Sequence, residues 1–297
     1  MLMQGPVAAV TGASGYLGSQ ICKTLESRGW QTIRLTRSPR QGPGQVFSYD
    51  LAMPITAQVT GALQSANALI HAAYDLSLTS PADIWQVNVE GTRRLLKAAR
   101  EAAVERVIVL SSMSAFAGTT QLYGRAKLEI EAMTTEFGGC AVRPGLVYSE
   151  RAGGMAGALR KLTAMPIVPV VAGGAGAYTV WEPDLLKVIA LLASAASLEP
   201  GTISVAHPSR VTLRDLMSAF AAQEDRRCRF VPVPWQPVYW LLRSGELVRL
   251  RLPFRADSLL GLIHTAPGLV GGDQLGRLGV TLHAFTAAGP AVSPGAR

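Results

Sequence analysis

Apolar and polar positions follow two periods along the first half of the chain. Short apolar runs of strand length recur as VAAVT (7–11), WQTIRLT (30–36), QVFSY (45–49), ALIHAA (68–73), RVIVLSS (106–112) and CAVRPG (140–145). Between them Leu17, Ile21 and Leu25 recur every fourth residue, as do Leu95 or Leu96 with Ala99 and Ala103, the spacing of one helix face. Strands that interleave with helices predict an α/β fold, a doubly wound parallel sheet covered by helices on both faces. Beyond residue 150 the pattern loosens. A Gly-rich linker (RAGGMAG), a helix near 155–164, a Pro/Gly stretch (PIVPVVAGGAGA), a helix from Pro183 to about Ala196, a strand GTISVA and a helix from Leu213 to Ala222 follow. This predicts a first domain over 1–150 and a second, smaller lobe over 151–297, with the helix near 183–196 returning to the first. The closing AAGPAVSPGAR reads as a frayed end.

Composition agrees with a packed globular chain: of 297 residues, 48% are hydrophobic and 16% charged. Cys22, Cys140 and Cys228 are odd in number and far apart, without the Cys/His groupings that zinc needs, so no metal is expected and a reducing cytoplasm fits. No charged leader precedes an apolar core, and no uncharged apolar run reaches spanning length, which predicts a soluble protein. The net charge of +8 sits mainly after residue 150, where 15 Lys/Arg face 9 Asp/Glu, against 13 and 11 before it. The arginines form no nucleic-acid-binding module. An anionic ligand or a solvated surface accounts for them equally well.

Two stretches carry candidate chemistry. In VTGASGYLG (10–18), Gly12, Gly15 and Gly18 follow a strand and open the Leu17/Ile21/Leu25 helix, the context in which glycines let a pyrophosphate approach the backbone N–H groups of a helix start. In TTQLYGRAKLEIEAM (119–133), Tyr123 and Lys127 share one helix face, and an ammonium beside a phenol favours the phenolate. A surface helix with an unrelated aromatic and cation is the bland alternative.

TGASGYLG, the YGRAK pair, the serines that end the fifth strand and NVEGTRRLLKAA (88–99) together resemble the short-chain dehydrogenase/reductase superfamily in its extended, epimerase/dehydratase-like branch. The resemblance implies a Rossmann fold in which Tyr123 passes a proton to or from the substrate oxygen, Lys127 lowers its pKa and bonds the nicotinamide ribose, and Ser112 orients the substrate oxygen. Ser111 and Ser114 are neighbours that a polar strand end also explains. The cofactor residues it implies are Gly12, Ser14, Gly15, Tyr16, Leu17 and Gly18 in the loop, and Asp50 and Leu51 at the adenine. His71, Ala72 and Ala73 follow the fourth strand, Asn88 opens the next helix, Pro144 and Gly145 pass over the nicotinamide, and Tyr123 and Lys127 complete the set. His71 is assigned no proton transfer. Members that prefer NAD usually carry an acid at the end of the second strand; here Thr36, Arg37 and Arg40 stand in IRLTRSPR, which points to NADP with Arg37 on its 2′-phosphate. A solvated loop arginine is the other reading.

Departures from the family pattern narrow the substrate. Ten residues separate Ser112 from Tyr123, a shorter loop than in many nucleotide-sugar enzymes, and SSMSAF lacks the paired carboxylates of the dehydratases. Phe116 stands where many relatives have a tyrosine. The segment 232–262 sets Trp235, Tyr239, Trp240, Leu241 and Leu242 near Arg243, Arg249, Arg251 and Arg255. It reads as a lid over an apolar ketone, as a helix leaning on a membrane surface, or as a packed lobe helix with a solvated side. Glu246, Asp257 and several prolines and glycines interrupt its amphipathic face, so the cleft is preferred to lipid. The resulting expectation is an NADP-dependent oxidoreductase acting on a small apolar or polycyclic carbonyl compound or its alcohol. A nucleotide-sugar epimerase is the rival enzyme, and a non-catalytic NADP-sensing regulator the rival of another class. The resemblance leaves a homodimer through the helices after the fourth and fifth strands open.

Overall fold

The computed structural model describes residues 5–39, 44–150, 153–171, 176–248, 250 and 255–286. The six apolar runs of the first half become β1 (Val7–Thr11), β2 (Gln31–Thr36), β3 (Gln45–Ser48), β4 (Ala68–His71), β5 (Arg106–Leu110) and β6 (Cys140–Pro144). The periodic segments become α1 (Tyr16–Glu26), α2 (Ala57–Gln64), α3 (Pro81–Ile84), α4 (Glu90–Glu101) and α5 (Leu122–Glu136), with a π-helical turn, Trp85–Val89, between α3 and α4. The second half adds β7 (Leu146–Tyr148), α6 (Gly154–Leu162), β8 (Ile167–Val171), β9 (Ala177–Trp181), α7 (Glu182–Ser194) and β10 (Gly201–Val205). It ends with β11 (Arg210–Val211), α8 (Leu213–Gln223), β12 (Arg229–Val233), α9 (Trp235–Leu247), α10 (Ala256–Ile263) and α11 (Gly272–Arg277).

The main sheet is parallel, in the order β10-β6-β5-β4-β1-β2-β3. Alternate side chains of one strand feed two cores, as the pleat demands. Ala8 and Val10 of β1 pack with Ile21 and Leu25 of α1 and Leu185 and Ile189 of α7. Ala9 packs with Leu63 of α2, Leu95 of α4 and Ile130 of α5. Because the chain runs outward from β1 to β3 and then crosses to β4 on the other side of β1, a crevice opens at the carboxyl ends of β1 and β4.

The two units are not divided at one point in the sequence. Helix α7 packs on α1, and β10 pairs with β6 in the main sheet, although both lie beyond residue 150. The smaller lobe holds a three-stranded sheet, β11-β9-β7, and the pair β12-β8. The latter corrects the reading of 166–177 as a plain Pro/Gly stretch: Pro169 sits within β8 and Pro232 within β12. A two-stranded ribbon has open edges on which a missing N–H is tolerated. Arg40, Arg249, Arg251 and residues 287–297, the segment read as frayed, lie outside the described residues.

Candidate active site

The glycine loop is shaped by contacts that forbid side chains. Gly12 has φ +64°, and a Cβ there would lie 2.9 Å from the amide of Ala73. A Cβ on Gly18 would lie 2.2 Å from the carbonyl oxygen of Gly12, so the start of α1 can reach the end of β1 only without one. Gly15 caps α1 without a side-chain hydrogen bond, and no acidic residue stands in the first turn. The amides of that turn are therefore open to an anion.

Gly12, Ser14 and Gly15 line one crevice with Thr36, Arg37, Tyr49, Asp50, Leu51, Ala72, Ala73, Tyr74 and Asp75. Asp50 accepts the amide of Ala52 at 2.9 Å, and Arg94 donates to the Leu51 carbonyl at 2.6 Å, which fixes the β3 exit loop. The hydroxyls of Tyr49 and Tyr74 are buried without a protein partner. Unspent buried donors, open helix amides and a wall without side chains fit a nicotinamide dinucleotide. Ser14 bonds the Thr36 hydroxyl at 2.8 Å, and Arg37 pairs with Asp75 at 2.8 Å. Its guanidinium is thus already engaged, by an acid on the β4 exit loop.

Four residues expected at the cofactor spend their side chains elsewhere, which leaves the backbone amides of Tyr16 and Leu17 open. His71 is 2% exposed; it bonds Thr11 through Nδ1 at 2.7 Å and Thr92 through Nε2 at 2.9 Å. The Thr92 hydroxyl donates to the Asn88 carbonyl, and Thr11 accepts the Ala73 amide, so Nε2 carries the proton and Nδ1 accepts. Burial, with Lys127 nearby, lowers the imidazole pKa to about 3 and keeps it neutral. Asn88 is fully buried and spends its side-chain amide on both backbone groups of Asp75. Leu17 packs into the core beside α7. Tyr16 donates to Glu182 at the start of α7, and its ring fills the space beside Gly153. Pro144 and Gly145 form the bend between β6 and β7, where the Gly145 amide donates to Val205 at 3.0 Å.

Ser112, Tyr123 and Lys127 meet at the exit of β5. Tyr123 is half-buried, with the Ser112 side chain near its hydroxyl. Burial pushes the phenol pKa up to about 12, against a lowering by the Ser112 hydrogen bond, and Asp257 adds to the rise. The expected lowering by Lys127 does not appear. Lys127 is 5% exposed; its ammonium donates to the Leu110 carbonyl at 2.7 Å and lies 5.8 Å from the Tyr123 ring centre, nearer the ring of Tyr74 at 4.6 Å. Burial brings its own pKa down to about 8, with Glu131 opposing. The neighbouring serines are placed differently: Ser111 donates to Glu131, which is also held by Arg143 at 2.6 and 2.7 Å, while the Ser114 amide donates to Ser112 Oγ at 3.1 Å and Ser114 Oγ lies beside Gly261.

Sequence reasoning missed Tyr74, Asp75 and Asp257. Tyr74 packs edge-on against Tyr123, ring centres 5.0 Å apart, and the aromatic directly after Ala72 and Ala73 was the available signal. Asp257 of α10 accepts the amides of Leu122 and Tyr123 at 3.2 and 3.0 Å across 135 and 134 residues of sequence. No local pattern reports such a contact. Among the described residues no group of three His, Cys, Asp or Glu side chains could hold a metal, and no helix is long and apolar enough to cross a membrane.

The sequence model of the NAD dependent epimerase/dehydratase family matches residues 8–174. An uncharacterised protein of Mycobacterium tuberculosis is 23% identical over 262 residues, 87% of this chain and 26% of its own length. A ceramide reductase of Caulobacter vibrioides is 29% identical over 177 residues, 56% of this chain and 54% of its own. A Stigmatella aurantiaca enzyme, 4-hydroxy-2-methyl-3-oxo-4-farnesyl-3,4-dihydroquinoline-1-oxide ketoreductase, is 31% identical over 132 residues, 41% of this chain and 36% of its own. The chain thus spans about a quarter of the length of the first relative, 26%, and about half of the second, 54%. Among solved structures, MoeE5 in complex with UDP-glucose and NAD aligns with a TM-score of 0.70 at 22% identity, covering 96% of each chain. The Thermus thermophilus UDP-glucose 4-epimerase complex with NAD aligns with a TM-score of 0.69 at 20% identity, covering 95% of this chain and 96% of that one. These alignments share the fold.

Proposed function

The chain belongs to the NAD dependent epimerase/dehydratase family, and from that premise we propose that it is an NADP-dependent oxidoreductase that reduces the carbonyl of an apolar substrate. The observation that carries this reading is the grouping of Ser112, Tyr123 and Lys127 around Tyr74, a residue that lines the crevice of the glycine loop. A bound nicotinamide dinucleotide would supply the hydride. The Tyr123 hydroxyl gives its proton to the substrate oxygen, which the Ser112 hydroxyl holds by a hydrogen bond, and the buried Lys127 ammonium binds the nicotinamide ribose. Burial keeps the phenol protonated at neutral pH, the state in which it can give a proton to a carbonyl oxygen.

The apolar surroundings of Met113, which follows Ser112 in the chain, support an apolar substrate. Met113, Tyr178, Ala206 and Ala266 form a buried cluster with Phe116 and Leu269 against it. Arg210, over the Tyr178 ring, is spent on the Tyr178 hydroxyl and the carbonyls of Ala266 and Pro267, so it offers little to a nucleotide diphosphate. The ceramide reductase and the farnesyl-dihydroquinoline-oxide ketoreductase among the relatives carry the names of apolar molecules, in line with this reading. We favour NADP because no acid ends β2, and Arg37 can exchange Asp75 for a 2′-phosphate. The unpaired Cys22, Cys140 and Cys228 suit a reducing cytoplasm.

The epimerase reading draws on the nucleotide-sugar enzymes that share the fold. Screening NADPH oxidation against apolar ketones and UDP-sugars separates the two, since an epimerase consumes no cofactor. With a substrate found, Tyr123→Phe should lower turnover by at least about 100-fold while leaving the dissociation constant of NADPH within twofold. Turnover at the unmutated rate would remove Tyr123 from the chemistry.

A further inference from the structure

The strand and helix signals place α5 in the nucleotide-binding unit, yet what holds its first turn comes from the other lobe. Its N-cap, Gln121, makes no capping bond, and no acid stands in the first turn. Gln121 instead donates to the carbonyl of His264 at 3.2 Å. The open amides of Leu122 and Tyr123 are taken by the two oxygens of Asp257 on α10. The same segment reaches the catalytic turns at two more points: Arg255 donates to the Leu76 carbonyl at 2.5 Å, and a Cβ on Gly261 would lie 3.1 Å from Ser114 Oγ.

We propose that Asp257 is a positioning residue for Tyr123, through which the substrate lobe fixes the start of the catalytic helix and sets a negative charge beside the phenol. The inference rests on the reading of Tyr123 as proton donor. A helix start held by a distant carboxylate loses its anchor whenever α10 shifts, so the presence of the lobe over the cleft and the placement of the proton donor become one event. The groups around the phenol are Ser112 from the β5 exit, Tyr74 from the β4 exit, Lys127 on α5 itself, and Asp257 with Arg255 from the α10 segment. Of these, Asp257 is the carboxylate that raises the Tyr123 pKa, because a neighbouring negative charge disfavours the phenolate. Arg255 is tied to Leu76 and lies near Glu246 at 3.9 Å.

Asp257→Asn keeps one oxygen for an amide and removes the charge; Asp257→Ser, a neutral capping residue, is the second variant should the first fail to fold. In the full chain with NADPH, the alkaline limb of kcat for reduction should move down by about half a pH unit or more. The ζ-carbon resonance of Tyr123, assigned with Tyr123→Phe, should titrate at correspondingly lower pH. The NADPH dissociation constant should stay within twofold. A cap of purely structural effect would lower the melting temperature and leave both titrations in place, and that result overturns the proposal even where Tyr123→Phe is inactive. A fully active Tyr123→Phe protein overturns the functional reading instead, and the resonance then decides whether Asp257 acts on the phenol.

Discussion

His71 makes the nucleotide-binding unit sensitive to acid by an amount that follows from its surroundings. The unfolded chain takes up a proton on this imidazole near pH 6.5, whereas the folded chain refuses it until about pH 3, because both ring nitrogens are engaged in a site that excludes water. Stability is therefore fully present above pH 6.5 and falls as the pH drops through the window down to about 3. At pH 5 the loss from this one group is RT ln(1 + 10^1.5), about 2 kcal/mol. Since the folded value lies well below pH 5, the figure is set by the unfolded chain alone. The perturbation to use is His71→Gln, whose amide can offer Thr11 an acceptor and Thr92 a donor without a titrating proton. Urea unfolding at pH 7.5 should show the variant about 1–3 kcal/mol less stable, from imperfect hydrogen bonds. At pH 5.0 the gap to the unmutated protein should shrink by about 2 kcal/mol, carboxylate titrations cancelling in the difference. Equal pH dependence in the two proteins would refute the reasoning, and with it the neutral Nε2–H tautomer. The link to function is short: Thr11, which bonds His71, also holds the amide of Ala73 at 3.2 Å on the crevice wall.

Gly18→Ala places a Cβ against the Gly12 carbonyl and should cost about 1–3 kcal/mol in stability and weaken NADPH binding as the loop is displaced, read by melting and calorimetry. Gly61→Ala, on α2 where a Cβ meets nothing within 4 Å, is the control and should be neutral or stabilising by up to about 1 kcal/mol. Asp75→Ala releases Arg37 and should tighten NADP roughly three- to tenfold with little effect on NAD, whereas Arg37→Ala should bring the two dissociation constants together; a cofactor preference untouched by either change would remove Arg37 from the 2′-phosphate.

The strands and helices of the first half were legible because each is apolar on a period that the fold uses directly. The alternation of Ala8, Ala9 and Val10 between two cores is the pleat written in sequence. The glycine loop was legible because steric exclusion leaves a residue type behind. Strands β8 and β12 were obscured by Pro169 and Pro232, which argue against a sheet interior but not against a ribbon edge. In the site, residue types could be read but not their partners. Nothing in IRLTRSPR announces that Arg37 will meet Asp75, and nothing in LPFRADSLL announces that Asp257 will cap a helix that begins 135 residues earlier. The pKa of Tyr123 escaped for a related reason: i and i+4 spacing gives a shared face, but burial depth and the direction in which Lys127 points are set by the whole fold.

The path of the chain between the two units bears on how such an enzyme can be rebuilt. It crosses from β6 to β7, returns from β9 to α7, leaves again from β10 to β11 and returns from α10 to α11. A lobe threaded in this way is not a module at the end of a string. Grafting it onto another dinucleotide-binding scaffold requires several junctions to match at once, and a single proteolytic cut cannot free either half with its sheet complete. Diversification of the substrate is then expected to proceed by side-chain exchange and loop-length change on α8–α10, within a frame whose connectivity stays fixed.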